Sequence, residues 1–213
     1  LAMASSPAFD QNQFVRGFTP TDWQAIVDHP LHPLENKAIQ GQYPPGSTFK
    51  PVLVAAALAE GVIEPETKLT CYGEYRLGNH VYRCWKKGGH GEIALYQALV
   101  QSCDIYFYQL GQSLGVDRMA DYARRFMLGS PTKVRLNNEA RGLVPTSRWK
   151  LRRFGVRWQK GEDLVTAIGQ GFLLVTPIQM SVFYAAIANG GVLVKPRVVM
   201  RVEDADGEVV KNV

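Results

Sequence analysis

The stretch Pro44-Pro45-Gly46-Ser47-Thr48-Phe49-Lys50-Pro51 places a hydroxyl and an amine three residues apart where a helix begins. The two prolines hold the incoming chain extended, and Gly46 allows a sharp turn. Apolar residues follow from Val52 to Ala59, and Gly61 stands where a helix C′ residue belongs. Pro51 has no N–H to offer the Ser47 carbonyl, which is expected to lack its usual helical partner. Residues i and i+3 share a helical face with roughly 5–6 Å between Cβ atoms, so the Lys50 amine can fold back onto the Ser47 oxygen. A serine hydroxyl is a poor nucleophile until a neighbouring base takes its proton. The pair therefore reads as a nucleophile with its own base, at the N-terminal end of a buried helix whose dipole favours developing negative charge. The plain alternative is a core helix that happens to start with serine, because serine, two residues and lysine recur by chance.

A chain of 213 residues, 46% hydrophobic and 20% charged, has room for one substantial globular domain and is not disordered over most of its length. No apolar run approaches the roughly 18–20 residues of a membrane span. Leu1-Ala2-Met3-Ala4 lacks the basic start and long apolar core of a signal peptide. Leu1 to Pro7 reads like the end of a strand with no beginning, and Asn212-Val213 offers no natural stop, so the expectation is a fragment of something longer. The net charge of +5 is concentrated: Arg148, Lys150, Arg152, Arg153, Arg157 and Lys160 fall within thirteen residues, with Trp149, Phe154 and Trp158 interleaved. No zinc-finger or RNA-recognition signature accompanies them, which argues against nucleic acid. A basic face near an anionic membrane or a phosphorylated lipid substrate is the better expectation.

Along the chain, Ala8–Phe18 reads as a loop, and Thr21 with Gln24 as a capping box for a short helix through about Val27. Val62–Thr70 is a connector. Glu74–Leu77 and His80–Cys84 are short aromatic-rich runs around Gly78-Asn79, a hairpin whose leading glycine suits a type II′ turn. Ile93–Val100 looks helical, Ser102-Cys103-Asp104 interrupts, and Ile105–Leu114 and Asp117–Phe126 are helices divided by Gly115. Thr146 or Ser147 caps a basic helix through Arg153, and Gly169-Gln170-Gly171 is a tight, permissive loop. Thr176-Pro177 starts a helix that Asn189-Gly190-Gly191 stops, and a final hairpin turns through Asp206-Gly207.

An acyl-transfer enzyme also needs a proton relay and donors for the oxyanion. Ser102-Cys103-Asp104, in a break between two helices, can put a hydroxyl and a carboxylate on the opposite wall of a cleft. Together, PPGSTFKP, QSCDIYFYQLG and AIGQGFLLVTPIQM, in this order, resemble the transpeptidase domain of class B penicillin-binding proteins. SSPAFDQNQF, IQGQYPPGSTFKP, WKKGGHG and SRWKLRRFGVRWQKGEDL narrow the resemblance to the penicillin-binding protein 2 group, dedicated to cell elongation. It covers essentially the whole chain. It implies an α+β fold, here the helix-rich portion of a penicillin-binding-protein/serine β-lactamase-like domain, with strands at the two ends, a small β-ribbon near 71–87 and an incomplete central sheet.

The resemblance further implies a serine D,D-transpeptidase that cross-links peptidoglycan through an acyl-enzyme on Ser47. Its substrate is a stem peptide ending in D-Ala-D-Ala, β-lactams are its suicide mimics, and no cofactor is needed for catalysis. Lys50 would activate Ser47, Ser102 would relay a proton to the leaving nitrogen, Asp104 would orient substrate and Lys50, and the Ser47 N–H would give half of the oxyanion hole. Asparagine is usual in the wider family where Asp104 stands; a carboxylate there favours the ammonium of Lys50 over the free base, so the two act as a coupled pair. The family's lysine-threonine-glycine motif is not found, since Lys195 precedes Pro196 and Lys211 precedes Asn212. It is expected beyond Val213, and an N-terminal membrane anchor and pedestal before Leu1. These imply an inner-membrane protein with its catalytic domain in the periplasm, partnered by an elongation-complex glycosyltransferase. The other readings are a β-lactamase or D,D-carboxypeptidase that passes the acyl group to water, or a non-catalytic module that senses β-lactam or binds a partner.

Cys71, Cys84 and Cys103 fall within thirty-three residues, with His90 among them. If Gly78-Asn79 is the turn, Gly73 lies opposite Cys84 and Cys71 is its diagonal neighbour, roughly 7–8 Å away. That is long for a disulfide and suited to two ligands converging on one ion. Cys103 and His90 complete a tetrahedral Cys₃His set for a structural Zn²⁺, with His80 a less suitable substitute. A disulfide with one free thiol, or three separate thiols, also fits the sequence.

Overall fold

The computed structural model describes residues 2–212. In chain order its helices are α1 (Gln13–Arg16), α2 (Pro20–Val27), α3 (Lys50–Ala59), α4 (Leu95–Val100), α5 (Asp104–Arg125), α6 (Ser147–Phe154), α7 (Lys160–Ala167) and α8 (Pro177–Ala188). Its strands are β1 (Lys68–Cys71), β2 (Glu74–Leu77), β3 (His80–Arg83), β4 (Gly91–Ala94), β5 (Arg201–Glu203) and β6 (Val209–Asn212). The fold is α+β, as expected. The chain divides into two compact units, one formed by Tyr43–Gly129 with Gly142–Val175, the other by the remaining segments.

The larger unit is built on α5. Its Ile105, Phe107, Leu110 and Met119 are buried against Val52, Leu53 and Ala56 of α3 and Leu164 and Ala167 of α7. Each such side chain contributes roughly 1.5–3 kcal/mol by leaving water. A Cβ on Gly111 would lie 2.4 Å from the Ala167 Cβ and 3.0 Å from the Asp163 carbonyl oxygen, so α5 and α7 can approach this closely only at glycine. At Gly115 the helix breaks, with φ 72° and ψ 159°. The break leaves the Val116 N–H without a helical acceptor, and the buried Asp163 carboxylate accepts it at 2.8 Å and the Trp158 indole N–H at 2.9 Å.

Two antiparallel ribbons lie in this unit. β2 and β3 pair in the expected register, Leu77 with His80, around a turn whose Gly78 has φ 58°. The sheet of β1 and β4, pairing Cys71 with Gly91 and Lys68 with Ala94, replaces the expected connector and the start of the expected helix at Ile93. Helix α7, with a capping box between Gln159 and Glu162, is a further addition to the sequence reading.

In the other unit, Ile39, Val134 and Ile178 form a small core with Leu136 against it. Thr176 caps α8 as expected, and Gln179 donates to the Ser130 and Arg141 carbonyls, both at 2.8 Å. Three expectations are corrected here. The cap of α2 is Thr19, which accepts from the Asp22 N–H, because Pro20 already fits the first helical position and moves the start two residues earlier. Gln13–Arg16 forms one helical turn inside the expected loop. Residues 2–5 form no strand, having no ladder partner among the described residues, so strands close only the C-terminal end, as β5 and β6. Leu1 and Val213 lie outside the described residues.

Candidate active site

Ser47 lies in a 3₁₀ turn, Gly46–Phe49, that feeds α3. Pro51 is the cause: lacking an N–H, it cannot bond the Ser47 carbonyl from i+4, so the chain tightens and the Lys50 N–H closes on that carbonyl from i+3. The Ser47 carbonyl lacks its usual i+4 partner, as expected, and takes the i+3 N–H in its place. The turn is braced from behind by the loop after α7, where the Gly46 N–H donates to the Gly169 carbonyl at 2.8 Å. A Cβ on Gly169 would sit 2.0 Å from the Gly46 oxygen, and its φ of +72° is itself a glycine conformation.

Ser102 and Asp104 come from the break between α4 and α5. Helix α4 ends in a Schellman motif: the Ser102 N–H bonds the Leu99 carbonyl at 3.1 Å and the Cys103 N–H the Ala98 carbonyl at 2.9 Å. Ser102 thus occupies the left-handed position, φ 52°, that glycine usually fills. Asp104 opens α5, where the helix dipole favours a carboxylate.

Lys50 joins the two segments. Its ammonium, 1% exposed, donates to Asp104 Oδ1 at 2.8 Å and to the carbonyl and Oγ of Ser102, both at 2.9 Å, which uses all three of its donors. The Phe107 ring centroid lies 5.2 Å from its Nζ. Ser102 Oγ donates to Ser47 Oγ at 3.2 Å. Among the described residues no hydrogen bond joins Lys50 directly to the Ser47 side chain; the hydrogen-bonded route from Nζ to Ser47 Oγ runs through the Ser102 hydroxyl. The second oxygen of Asp104 accepts the Trp85 backbone N–H at 3.2 Å, and the Trp85 indole donates to the Gln101 carbonyl at 3.0 Å. The sequence reading gave Gly169 as part of a permissive loop and Trp85 as part of a motif, without placing either at the site; the position of Trp85 directly after Cys84 was the available signal for the second.

Behind this site the structure gathers Cys71, Cys84, His90 and Cys103. Their sulfur and nitrogen atoms all lie within 4.8 Å of one another, and His90 Nδ1 is 3.6 Å from both Cys71 Sγ and Cys84 Sγ. A tetrahedral zinc with Zn–S near 2.3 Å and Zn–N near 2.0–2.1 Å separates nitrogen from sulfur by about 3.6 Å. The two nitrogen–sulfur separations match that geometry. All three thiols are free and buried, and burial, followed by the neighbouring Cys71, pushes the Cys103 thiol up to about 12 against the lowering effect of the Tyr106 N–H. Burial, then Lys86, lowers the His90 imidazole, which favours the neutral ring that a metal requires. His90 Nε2 is buried without a hydrogen-bond partner among the described residues.

The profile of the penicillin binding protein transpeptidase domain matches residues 1–213. The peptidoglycan D,D-transpeptidase MrdA of Acinetobacter baumannii is 39% identical over 214 residues, an alignment that covers 100% of this chain and 32% of the relative. The crystal structure of Pseudomonas aeruginosa PBP2 in complex with WCK 5153 superposes with a TM-score of 0.89 at 35% identity, covering 99% of this chain and 47% of that one. A chain from a structure described as the coordination of polymerization and crosslinking by a peptidoglycan synthase complex gives 0.86 at 38% identity, over 94% of this chain and 34% of that one. The chain spans about a third of the length of the curated relatives it matches.

Proposed function

Because this chain belongs to the penicillin-binding protein transpeptidase domain family, we propose that it carries the nucleophile-bearing part of a serine D,D-transpeptidase that cross-links peptidoglycan during cell elongation. The observation that carries the reading is the unbroken line of contacts from Ser47 Oγ through Ser102 Oγ and Lys50 Nζ to Asp104. Ser47 Oγ attacks the carbonyl carbon of the penultimate D-alanine of a stem peptide, and its proton passes through Ser102 to Lys50 in its neutral form. The Ser47 N–H, free of an intrahelical acceptor at the start of its turn, stabilises the oxyanion. The C–N bond then breaks, the proton returns through Ser102 to the leaving nitrogen, and D-alanine departs. An amine from a second stem attacks the resulting ester, the relay takes its proton, and Ser47 is restored. A β-lactam stops at the acyl-enzyme.

The domain reading is a partial transpeptidase domain, completed beyond Val213 by the lysine-threonine-glycine strand and preceded by a pedestal and an N-terminal anchor in the inner membrane, with catalysis in the periplasm. No helix of the described residues is long and apolar enough to cross a membrane. The elongation-complex glycosyltransferase is the proposed partner; the similarity to a chain of a peptidoglycan synthase complex supports it.

The cysteine cluster is proposed to hold one structural zinc, ligated by Cys71, Cys84, Cys103 and His90 Nδ1, with the 3.6 Å nitrogen–sulfur separations as support. The ion would brace the segment around Cys103 and take no part in acyl transfer.

Intact-protein mass spectrometry after incubation with a penicillin tests the catalytic reading: an adduct that disappears in Ser47→Ala supports it. A full-length protein that never labels would overturn it. Release of hydrolysed antibiotic faster than cross-linked product would favour the hydrolase alternatives. The native spectrum reads the metal: one zinc, lost in Cys84→Ser, is expected, and metal-free protein with three titratable thiols would end that part of the proposal.

A further inference from the structure

The excess positive charge of this chain resides in one segment. Removing the six cations of residues 148–160 from the 24 basic residues leaves eighteen against 19 acids, so the rest is close to neutral. In the structure this segment is α6 and the turn into α7. Lys150 faces inward, 6% exposed, held at 2.6 Å by both oxygens of Glu162. Arg148, Arg152, Arg153, Arg157 and Lys160 face solvent. The nearest acids in sequence are engaged elsewhere: Glu162 holds Lys150 and the Gln159 N–H, and Asp163 is buried against Val116 and Trp158. Among the described residues none of the five exposed cations has an ion-pair partner; the Asp117 carboxylate at the start of α6 is taken by the N–H and hydroxyl of Ser147, and the face carries a net positive charge.

Rings lie beside these charges. Phe172 packs against Trp149 at 5.2 Å, Phe154 at 5.5 Å and Trp158 at 6.3 Å between centroids. Trp149, Trp158 and Phe172 are half-buried in one another, and Phe154 remains 51% exposed. The exposed arginines and these rings share one short segment, α6 and the turn into α7, with Phe172 packed against it. It is also close to the nucleophile turn: Phe172 lies three residues after Gly169, whose carbonyl accepts the Gly46 N–H. Three trans peptide steps span at most about 11 Å between Cα atoms.

We propose that this face is the docking surface for a wall strand, a glycan bearing stem peptides with free carboxylates, which the arginines neutralise while the rings receive the C–H faces of the sugars. The inference rests on the reading of Ser47 as the nucleophile of a wall transpeptidase, and it adds where the strand is held. A bilayer is the less suitable occupant, because three of the four rings are interlocked and do not project as an inserting wedge would. The charge carries on-rate and orientation, and salt weakens it.

The test uses the full-length protein and the double variant Arg152→Glu/Arg153→Glu, with three probes: soluble uncross-linked glycan strands, the same strands with amidated carboxylates, and vesicles containing anionic lipid. Expected are about tenfold weaker strand binding in the variant, a comparable loss for amidated strands on the wild type, and weakening of wild-type binding as salt rises. Acylation by a small penicillin should be equal in both proteins. Unchanged strand affinity in the variant overturns the inference, as does a variant that loses vesicle binding and keeps strand binding. Failure of the wild type to acylate would instead strike the nucleophile reading, leaving the strand-binding comparison to judge the face on its own.

Discussion

The Ser102 hydroxyl stands 3.2 Å from Ser47 Oγ because its backbone holds the left-handed position of a Schellman turn, φ 52°. A residue with a Cβ is strained there by roughly 1–2 kcal/mol. The strain aims the hydroxyl between amine and nucleophile.

Ser102→Ala and Ser102→Gly both delete the hydroxyl; glycine also relieves the strain, against the larger entropy it loses on folding. Acylation should fall at least about a hundredfold in both, the scale of a lost proton relay. Denaturant unfolding should find the glycine variant more stable than the alanine variant by about 1 kcal/mol. A glycine variant less stable than the alanine variant by about 0.5–1 kcal/mol, the entropic cost of glycine unopposed, would show that the turn is not strained.

Lys50 is 1% exposed and pairs with Asp104 at 2.8 Å. Asp104→Ala should destabilise the protein by roughly 3–5 kcal/mol, the usual consequence of stranding a buried charge. Asp104→Asn keeps an acceptor oxygen and should lose about 1–3 kcal/mol. Chemical denaturation of the three proteins checks the order; an alanine variant as stable as the asparagine variant would refute it.

Gly169→Ala puts a methyl 2.0 Å from the Gly46 carbonyl oxygen at a φ that disfavours alanine. A loss of about 2–4 kcal/mol is expected. Acylation should slow too, since the methyl pushes on the turn that carries Ser47. Thermal unfolding and stopped-flow acylation measure the two effects.

Burial raises the Asp163 carboxyl above its ordinary value near 3.8, against the lowering effect of the Trp158 and Val116 N–H donors. The native state then binds this proton more tightly than the unfolded state, so native stability falls as pH rises from 3.8 through the raised value, and levels off above it. Asp163→Asn has no such proton. The stability difference, wild type minus variant, should therefore decline across that window and stay constant beyond it. A difference independent of pH would contradict the assignment.

Local signals were legible in the sequence where a few neighbouring residues decide the geometry. Gly78-Asn79 identified the β2–β3 hairpin, Thr176-Pro177 the start of α8, and Gly115 the break in α5. The β1–β4 ribbon was hidden because its partners stand twenty or more residues apart and its strands are four residues long, too short for the alternation in Lys68-Leu69-Thr70-Cys71 to stand out. Helix α7 was hidden because it opens on Lys160-Gly161 and its cap is Gln159, outside the usual Ser/Thr/Asp/Asn set. For the site, residue types and spacing named Ser47, Lys50, Ser102 and Asp104 as candidates. The order of contact among them depends on how the turn at Ser47 packs against the break at Ser102, segments some fifty residues apart in sequence.

Cys103 is separated by one peptide bond from each of Ser102 and Asp104, and its sulfur belongs to the cluster behind them. No linker exists in which a disturbance of that sulfur could dissipate, since adjacent Cα atoms are 3.8 Å apart along a rigid link. A ligand that displaces that sulfur would thus shift Ser102 and Asp104 from the rear, on the side away from Ser47.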